Sequence, residues 1–276
     1  MIWKGRDCAF DLSTKTIVMG IINATPDSFS DGGLFATKEE AVARAMRLIE
    51  EGADIIDLGG ESTRPGSDPV DAAEEIRRVV PVLEEIRRRS DVPLSVDTRK
   101  AVVAEAALVA GANVVNDVSA LGDPEMAPLV AKTGAGLIVM HMLREPKTMQ
   151  DDPVYRDVLE EVNTFLRERV DRAVAAGIAR ENIAVDPGIG FGKTLEHNLA
   201  IMKHLRVFGR DGLPIAVGPS RKRFIGMLTG AEVGDRLPGT LAAVVMAVAK
   251  GAHILRVHDV AATVQATQTA RAILRA

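Results

Sequence analysis

Three β-branched runs in this sequence each end in a residue able to read the edge of a ligand. LSV runs into Asp97, VV into Asn116 and IAV into Asp186. A carboxylate takes two parallel N–H bonds, as from a guanidine-like fragment, so two carboxylates and an amide suit a flat, donor-rich heterocycle. Lys222, Arg256 and His258 follow two later runs and supply positive charge suited to a phosphate or diphosphate. Ser220, in GPSRKRFIG, stands where a strand gives way to a helix, whose free N–H groups form an anion site.

A lone Asp or Asn at a strand end is commonly a helix cap or turn residue. Here nearly every predicted strand ends in a polar group: Asn23, Asp57 followed by Glu61, Asp97, Asn116, His141, Asp186, Ser220, and Arg256 with His258. Alternation puts Ile254, Arg256 and His258 on one face of a strand, and Val114 with Asn116 on another, so inward positions change from apolar to polar toward one rim. Two lookalikes fail. GIGFGKT (Gly188–Thr194) has three residues between Gly188 and Gly192 where a P-loop needs four, and Pro187 holds the required glycine position. Its glycines suit a strand-to-helix turn instead. His253 and His258 face opposite ways, and His197 and His204 lack cysteine or carboxylate partners at zinc spacing.

The elements that must carry these groups are legible as a rhythm. Strands are predicted at Ile17–Ile22, Ile55–Leu58, Leu94–Val96, Val114–Asn116, Leu137–Met140, Ile183–Val185, Ile215–Val217 and Ile254–Val257. Amphipathic segments such as KEEAVARAMRLIEEGA and DAAEEIRRVVPVLEEIRRR separate them. Gly-Ala pairs at Gly52-Ala53, Gly111-Ala112 and Gly251-Ala252 place glycine where a helix ends. About eight βα units without a linker predict one α/β domain over residues 1–276, a (β/α)₈ TIM barrel, with residues 1–16 as an N-terminal cap over its bottom. A doubly wound open sheet is the alternative. In a barrel the active site lies at the C-terminal ends of the strands, where the polar residues fall.

Composition narrows the partners. The chain has 276 residues, 47% hydrophobic, with a net charge of −4, which gives no electrostatic case for nucleic acid or an anionic membrane. No run approaches a membrane span, and the N-terminus MIWKGRDCAFDLS has no apolar signal core. Cys8 is the only cysteine, so no internal disulfide can form; a reducing cytoplasm is the expected location.

Read together, MGIINATPDSFSDGG, DLGGESTRPG, SVDTRK, NDVSA, MHM, DPGIGFGKT, VGPSRKRFIG and LRVHDV resemble the dihydropteroate synthase family of folate biosynthesis, a family of pterin-binding barrels. The segments stand in the family's order and span the chain from the first strand onward. Departures are small: Ala24, Leu143-Arg144 and Pro219. The resemblance implies condensation of 6-hydroxymethyl-7,8-dihydropterin diphosphate with p-aminobenzoate, giving 7,8-dihydropteroate and diphosphate. It assigns Asp97, Asn116 and Asp186 to the pterin edge, Lys222 to its carbonyl, and Met140 and Phe191 to packing nearby. Arg256 would stack on the pterin and, with His258 and Asn23, handle the diphosphate, Asn23 being the contact for Mg²⁺. Ser220 would hold the carboxylate of p-aminobenzoate. Thr63, Arg64 and Gly218 join the substrate contacts, and Asp27 joins Arg256 and His258 in catalysis. A homodimer is implied, and the apolar LAAVVMAVA helix is a candidate for its interface.

Two other readings remain at this level. One is a barrel methyltransferase acting on methylated folate, which has no need for groups arranged around a diphosphate. The other is a pterin-binding relative without synthesis. NATPDSFSDGG and ESTRPG carry little apolar area beyond Phe29 and Pro65, and are expected to close over diphosphate and bring both residues around the p-aminobenzoate ring.

Overall fold

The computed structural model describes residues 1–24, 38–62 and 66–276. In chain order the elements are β1 (Ile2–Gly5), β2 (Cys8–Asp11), β3 (Ile17–Asn23), α1 (Lys38–Glu50), β4 (Ile55–Gly59), α2 (Ala72–Arg89), β5 (Leu94–Asp97), α3 (Ala101–Val109), β6 (Val114–Asp117) and α4 (Met126–Thr133). They continue with β7 (Gly136–Met140), α5 (Val158–Ala175), β8 (Ile183–Asp186), α6 (Leu195–Lys203), β9 (Ala216–Val217), α7 (Arg223–Thr229), α8 (Leu237–Ala249), β10 (Ile254–Val257) and α9 (Val260–Arg275).

Eight parallel strands run in the order β8-β7-β6-β5-β4-β3-β10-β9, and a parallel bridge between Val185 and Ile215 joins the two ends. The sheet therefore closes on itself, as the strand–helix rhythm predicts, and the open-sheet alternative falls. β10 has the predicted bounds, while β3, β4, β5, β6 and β8 each run one residue further, into the polar rim. The reason is backbone pairing: Asp97 lies opposite Asn116, and Met140 opposite Asp186, inside the ladder.

Alternation sorts each strand into two cores. Ile17, Met19, Ile55, Val114, Ile138, Ala184, Ala216 and Ile254 fill the barrel interior, while Val18, Ile56, Val96, Val115, Val139 and Leu255 pack outward against the helices. Each helix must then stop and turn back. After α1, Gly52 takes φ +97°, its N–H bonds to Ile49 O, and Ala53 N–H bonds to Leu48 O. The same pair of bonds recurs at Gly111-Ala112 and Gly251-Ala252, so the Gly-Ala signals mark Schellman ends.

Residues before β3 form an antiparallel hairpin, β1–β2, which the sequence reading did not resolve into strands. Fully buried Trp3 and Leu12 pack onto the interior residues at the N-terminal ends of the barrel strands, and Trp3 Nε1–H donates to Asn182 O at 3.1 Å. With that end filled, the open mouth is the C-terminal one.

Candidate active site

Arg256 crosses the mouth from β10. Its Nε–H donates to Asp57 Oδ2 at 2.5 Å and its Nη2–H to Asp97 Oδ2 at 2.6 Å. Asn116, on β6, donates through Nδ2 to the same Asp57 oxygen at 3.3 Å. The second oxygens, Asp57 Oδ1 and Asp97 Oδ1, are buried without a hydrogen-bond partner among the described residues. Burial pushes the Asp97 carboxyl up to about 7; Arg256 opposes that rise and Asp57 adds to it. Burial alone would weaken the Arg256 cation, but Asp57 and Asp97 outweigh it and its pKa is raised, so the guanidinium keeps its charge.

Asp186 ends β8 on the other side of the cleft. Its Oδ1 accepts the Gly188 N–H at 2.7 Å, and burial pushes its carboxyl up to about 6, against the pull of Gly188 and Lys222. Lys222 Nζ lies 3.9 Å from the Phe191 ring centre, a cation–π contact, and burial brings this amine down to about 8. Phe191, Met140, Val118 and Met149 form one small buried apolar cluster. The Asp186 carboxylate and the Lys222 amine thus adjoin an apolar wall.

The turn carrying Phe191 needs its glycines. Gly188 has φ +69°, and a Cβ there would fall 1.9 Å from His141 O, so no other residue fits. The turn is held by Gln150 Nε2–H to Gly190 O at 2.7 Å, Tyr155 O–H to Gly192 O at 2.9 Å, and Lys193 Nζ to Phe191 O at 3.0 Å. Lys193 also lies 3.0 Å from His141 Nδ1. Burial lowers Lys193 to about 7 and, with Lys193 adding, lowers His141 to about 3. His141 is therefore a neutral ring accepting from the lysine.

His258 and Ser220 form a pair. Ser220 Oγ accepts the backbone N–H of His258 at 3.2 Å and lies 3.0 Å from its Nδ1. The direction of the Oγ–Nδ1 bond follows the imidazole tautomer, and in either sense the hydroxyl fixes the orientation of the ring. Burial, then Arg256 and Arg221, lowers His258 to about 3. His258 is thus a neutral ring, where the sequence suggests a cation. Ser220 stands, as expected, between β9 and α7, which begins at Arg223 with Lys222 at its N-cap, and its hydroxyl contacts His258. Arg44 on α1 donates to His258 O at 2.8 Å. Gly218 adjoins Arg256, where a Cβ would stand 3.7 Å from the arginine Cβ. Asn23, half-buried, ends β3 in register with Gly59.

The C-terminal mouth therefore gathers Asn23, Asp97, Asn116, Met140, Asp186, Phe191, Gly218, Ser220, Lys222, Arg256 and His258. Asp27, Phe29, Thr63, Arg64 and Pro65, together with the expected closure of their loops, lie outside the described residues. Two site members went unassigned from sequence. Asp57 follows Ile55 inward by the same alternation that picks out Asn116, so that signal was present. Lys193 has no periodic signal; only the fold brings it against His141.

A closed parallel barrel with buried carboxylates, an amide and cations on its C-terminal rim defines an enzyme of the (β/α)₈ class. The sequence profile described as "Pterin binding enzyme" matches residues 19–258. A dihydropteroate synthase of Escherichia coli K12 is 48% identical over 259 residues, covering 94% of this chain and 92% of that protein. The Yersinia pestis dihydropteroate synthase, solved as a sulfonamide drug complex, superposes with a TM-score of 0.95 at 44% identity, over 100% of both chains. The Xanthomonas albilineans enzyme in complex with 7,8-dihydropteroate superposes with a TM-score of 0.89 at 44% identity, over 99% of each chain. The chain belongs to the dihydropteroate synthase family of pterin-binding enzymes.

Proposed function

We propose that this chain joins 6-hydroxymethyl-7,8-dihydropterin diphosphate to p-aminobenzoate, forming 7,8-dihydropteroate and releasing diphosphate. The observation that carries this reading is the unpartnered, buried Asp97 Oδ1 beside Asn116, in a cleft that also holds the Asp186 carboxylate and is crossed by Arg256. A buried acceptor left unmade costs about 1–3 kcal/mol, and a ligand N–H that satisfies it recovers that cost on binding. Asp97, Asn116 and Asp186 take the donor edge of the pterin, Lys222 its carbonyl, and Met140 and Phe191 its flank. Arg256 and the His258 ring face the diphosphate, whose charge grows as the carbon–oxygen bond breaks; fixed donors in a buried site stabilise that charge. The aniline nitrogen attacks the same carbon and loses its proton to solvent or to the departing diphosphate. Gly218, Ser220, Phe29, Thr63, Arg64 and Pro65 border p-aminobenzoate and the reacting carbon, and Asp27 belongs with the catalytic groups.

Mg²⁺ fits the donor chemistry. Asn23 offers a neutral oxygen at the rim, and this ion is usually held by one or two protein oxygens together with substrate phosphates and water. When bound, it neutralises charge on the leaving diphosphate. We also read the chain as a cytoplasmic homodimer. The single cysteine suits a reducing compartment, and exposed Met227 and Leu228 of α7 and Met246 of α8 suit pairing with a second copy.

One assay decides the reaction: diphosphate release from the pterin diphosphate, with Mg²⁺, measured with and without p-aminobenzoate. Release that ignores p-aminobenzoate, or no release, rejects the reading. Light scattering on purified protein decides the dimer.

A further inference from the structure

One oxygen stands behind two of the groups that face the pterin site. Asp57 Oδ2 accepts the Arg256 Nε–H and the Asn116 Nδ2–H together. The Asp57 side chain is fully buried, on an inward position of β4 in register with Ile21 and Ser95, one step below the rim. A buried ion pair often stabilises a fold no better than apolar residues of similar volume, because both charges lose their hydration. What Asp57 supplies is geometry.

Held through Nη2 alone, the Arg256 guanidinium could pivot about its bond to Asp97. Held through Nε and Nη2 by carboxylates on two different strands, its plane is set. Asn116 is constrained in the same way. With one amide N–H committed to Asp57, the group cannot exchange its oxygen and nitrogen, and its carbonyl stays available for a ligand donor.

We propose that Asp57 is a positioning residue for the condensation: from beneath the site it fixes the plane of the Arg256 guanidinium and the sense of the Asn116 amide. This rests on the cleft being the pterin diphosphate site. Asp57 itself touches neither substrate.

Asp57→Asn keeps the shape and one acceptor but removes the charge, and three measurements on the purified full chain test it. The parent is first assayed for p-aminobenzoate-dependent diphosphate release; failure there counts against the proposed reaction, and Asp57 is then judged by magnetic resonance alone. By nitrogen-15 resonance, the Nε–H of Arg256, assigned by its loss in Arg256→Lys, should exchange with solvent at least about tenfold faster in Asp57→Asn. Turnover should fall at least about tenfold, with KM for p-aminobenzoate within about threefold of the parent. In an Arg256→Lys background, the same substitution should cost less than about threefold, because a residue acting through another loses its effect when the other is gone. An unchanged Nε–H exchange rate, or an equal cost in both backgrounds, overturns the proposal. If Asp57→Asn does not fold, Asp57→Ser, which keeps a hydroxyl acceptor and leaves room for water, is read by the same criteria.

Discussion

Asp97 gives one oxygen to Arg256 at 2.6 Å and keeps the other buried and, among the described residues, unbonded. A carboxylate arranged this way has one half fixed to the protein and one half held for a ligand. The pH behaviour of the site follows from it.

Pterin N–H donors need ionised acceptors, and in the ligand-free protein burial raises Asp97 to about 7 and Asp186 to about 6. Pterin affinity should therefore climb as pH rises through that window and level off above it, by up to about tenfold per pH unit for each group still protonated. For folding the sign is opposite. Both folded pKa values lie above those of the unfolded chain, so the stabilisation from these protons is complete below about pH 4 and is lost as pH passes through 6 to 7. Calorimetric titration with a plain pterin, and melting curves with and without it, across pH 5 to 8 check both. An affinity that is flat with pH rejects the assignment of these carboxylates.

Asp186→Asn separates stability from binding. The amide oxygen can still accept the Gly188 N–H, and the buried charge is gone, so the melting temperature at pH 8 should hold or rise. Pterin binding should weaken more than about tenfold, since a hydrogen bond to a charged group contributes roughly 1.5–3 kcal/mol. A variant that melts earlier and still binds pterin as the parent does would show Asp186 to be structural.

The Ser220–His258 pair makes a separate prediction. Ser220→Ala removes the hydroxyl that orients the His258 ring through Nδ1 and leaves a backbone N–H unpaired, at a stability cost of about 1 kcal/mol. Because the hydroxyl is already committed to His258, kcat should fall by roughly an order of magnitude, with the larger effect there rather than on KM for p-aminobenzoate. A change confined to KM would place the hydroxyl on the p-aminobenzoate carboxylate in the complex.

Local pattern made the barrel legible. β-branched runs, amphipathic segments and Gly-Ala ends each report on a few neighbouring residues, and their repetition leaves little freedom in topology. The rim was legible for the same reason, since alternation alone turns Asn116 and Arg256 inward. Three features depend on distance and burial instead. Asp57 meets a guanidinium 199 positions away in the chain. His258 is neutral because burial and two arginines surround it. The β1–β2 hairpin has strands of four residues each, whose exposed positions leave a weak apolar signal until Trp3 finds the barrel interior.

Asn23 provides the test of the metal. It ends β3 at the rim, half-buried, and is not among the residues that bond to Asp97, Asp186 or Arg256. Its amide oxygen is a hard neutral donor, suited to Mg²⁺ that brings most of its other ligands from phosphate and water. Asn23→Ala should therefore raise the Mg²⁺ concentration needed for half-maximal diphosphate release by about tenfold, roughly the loss of one ligand interaction of 1–2 kcal/mol. Binding of a plain pterin, which carries no phosphate, should stay within about threefold of the parent. Chelation of Mg²⁺ should abolish turnover in both proteins and leave plain pterin binding intact. Equal loss of pterin affinity and Mg²⁺ response in the variant would place Asn23 in the pterin pocket, and a normal Mg²⁺ response would take it out of the metal site.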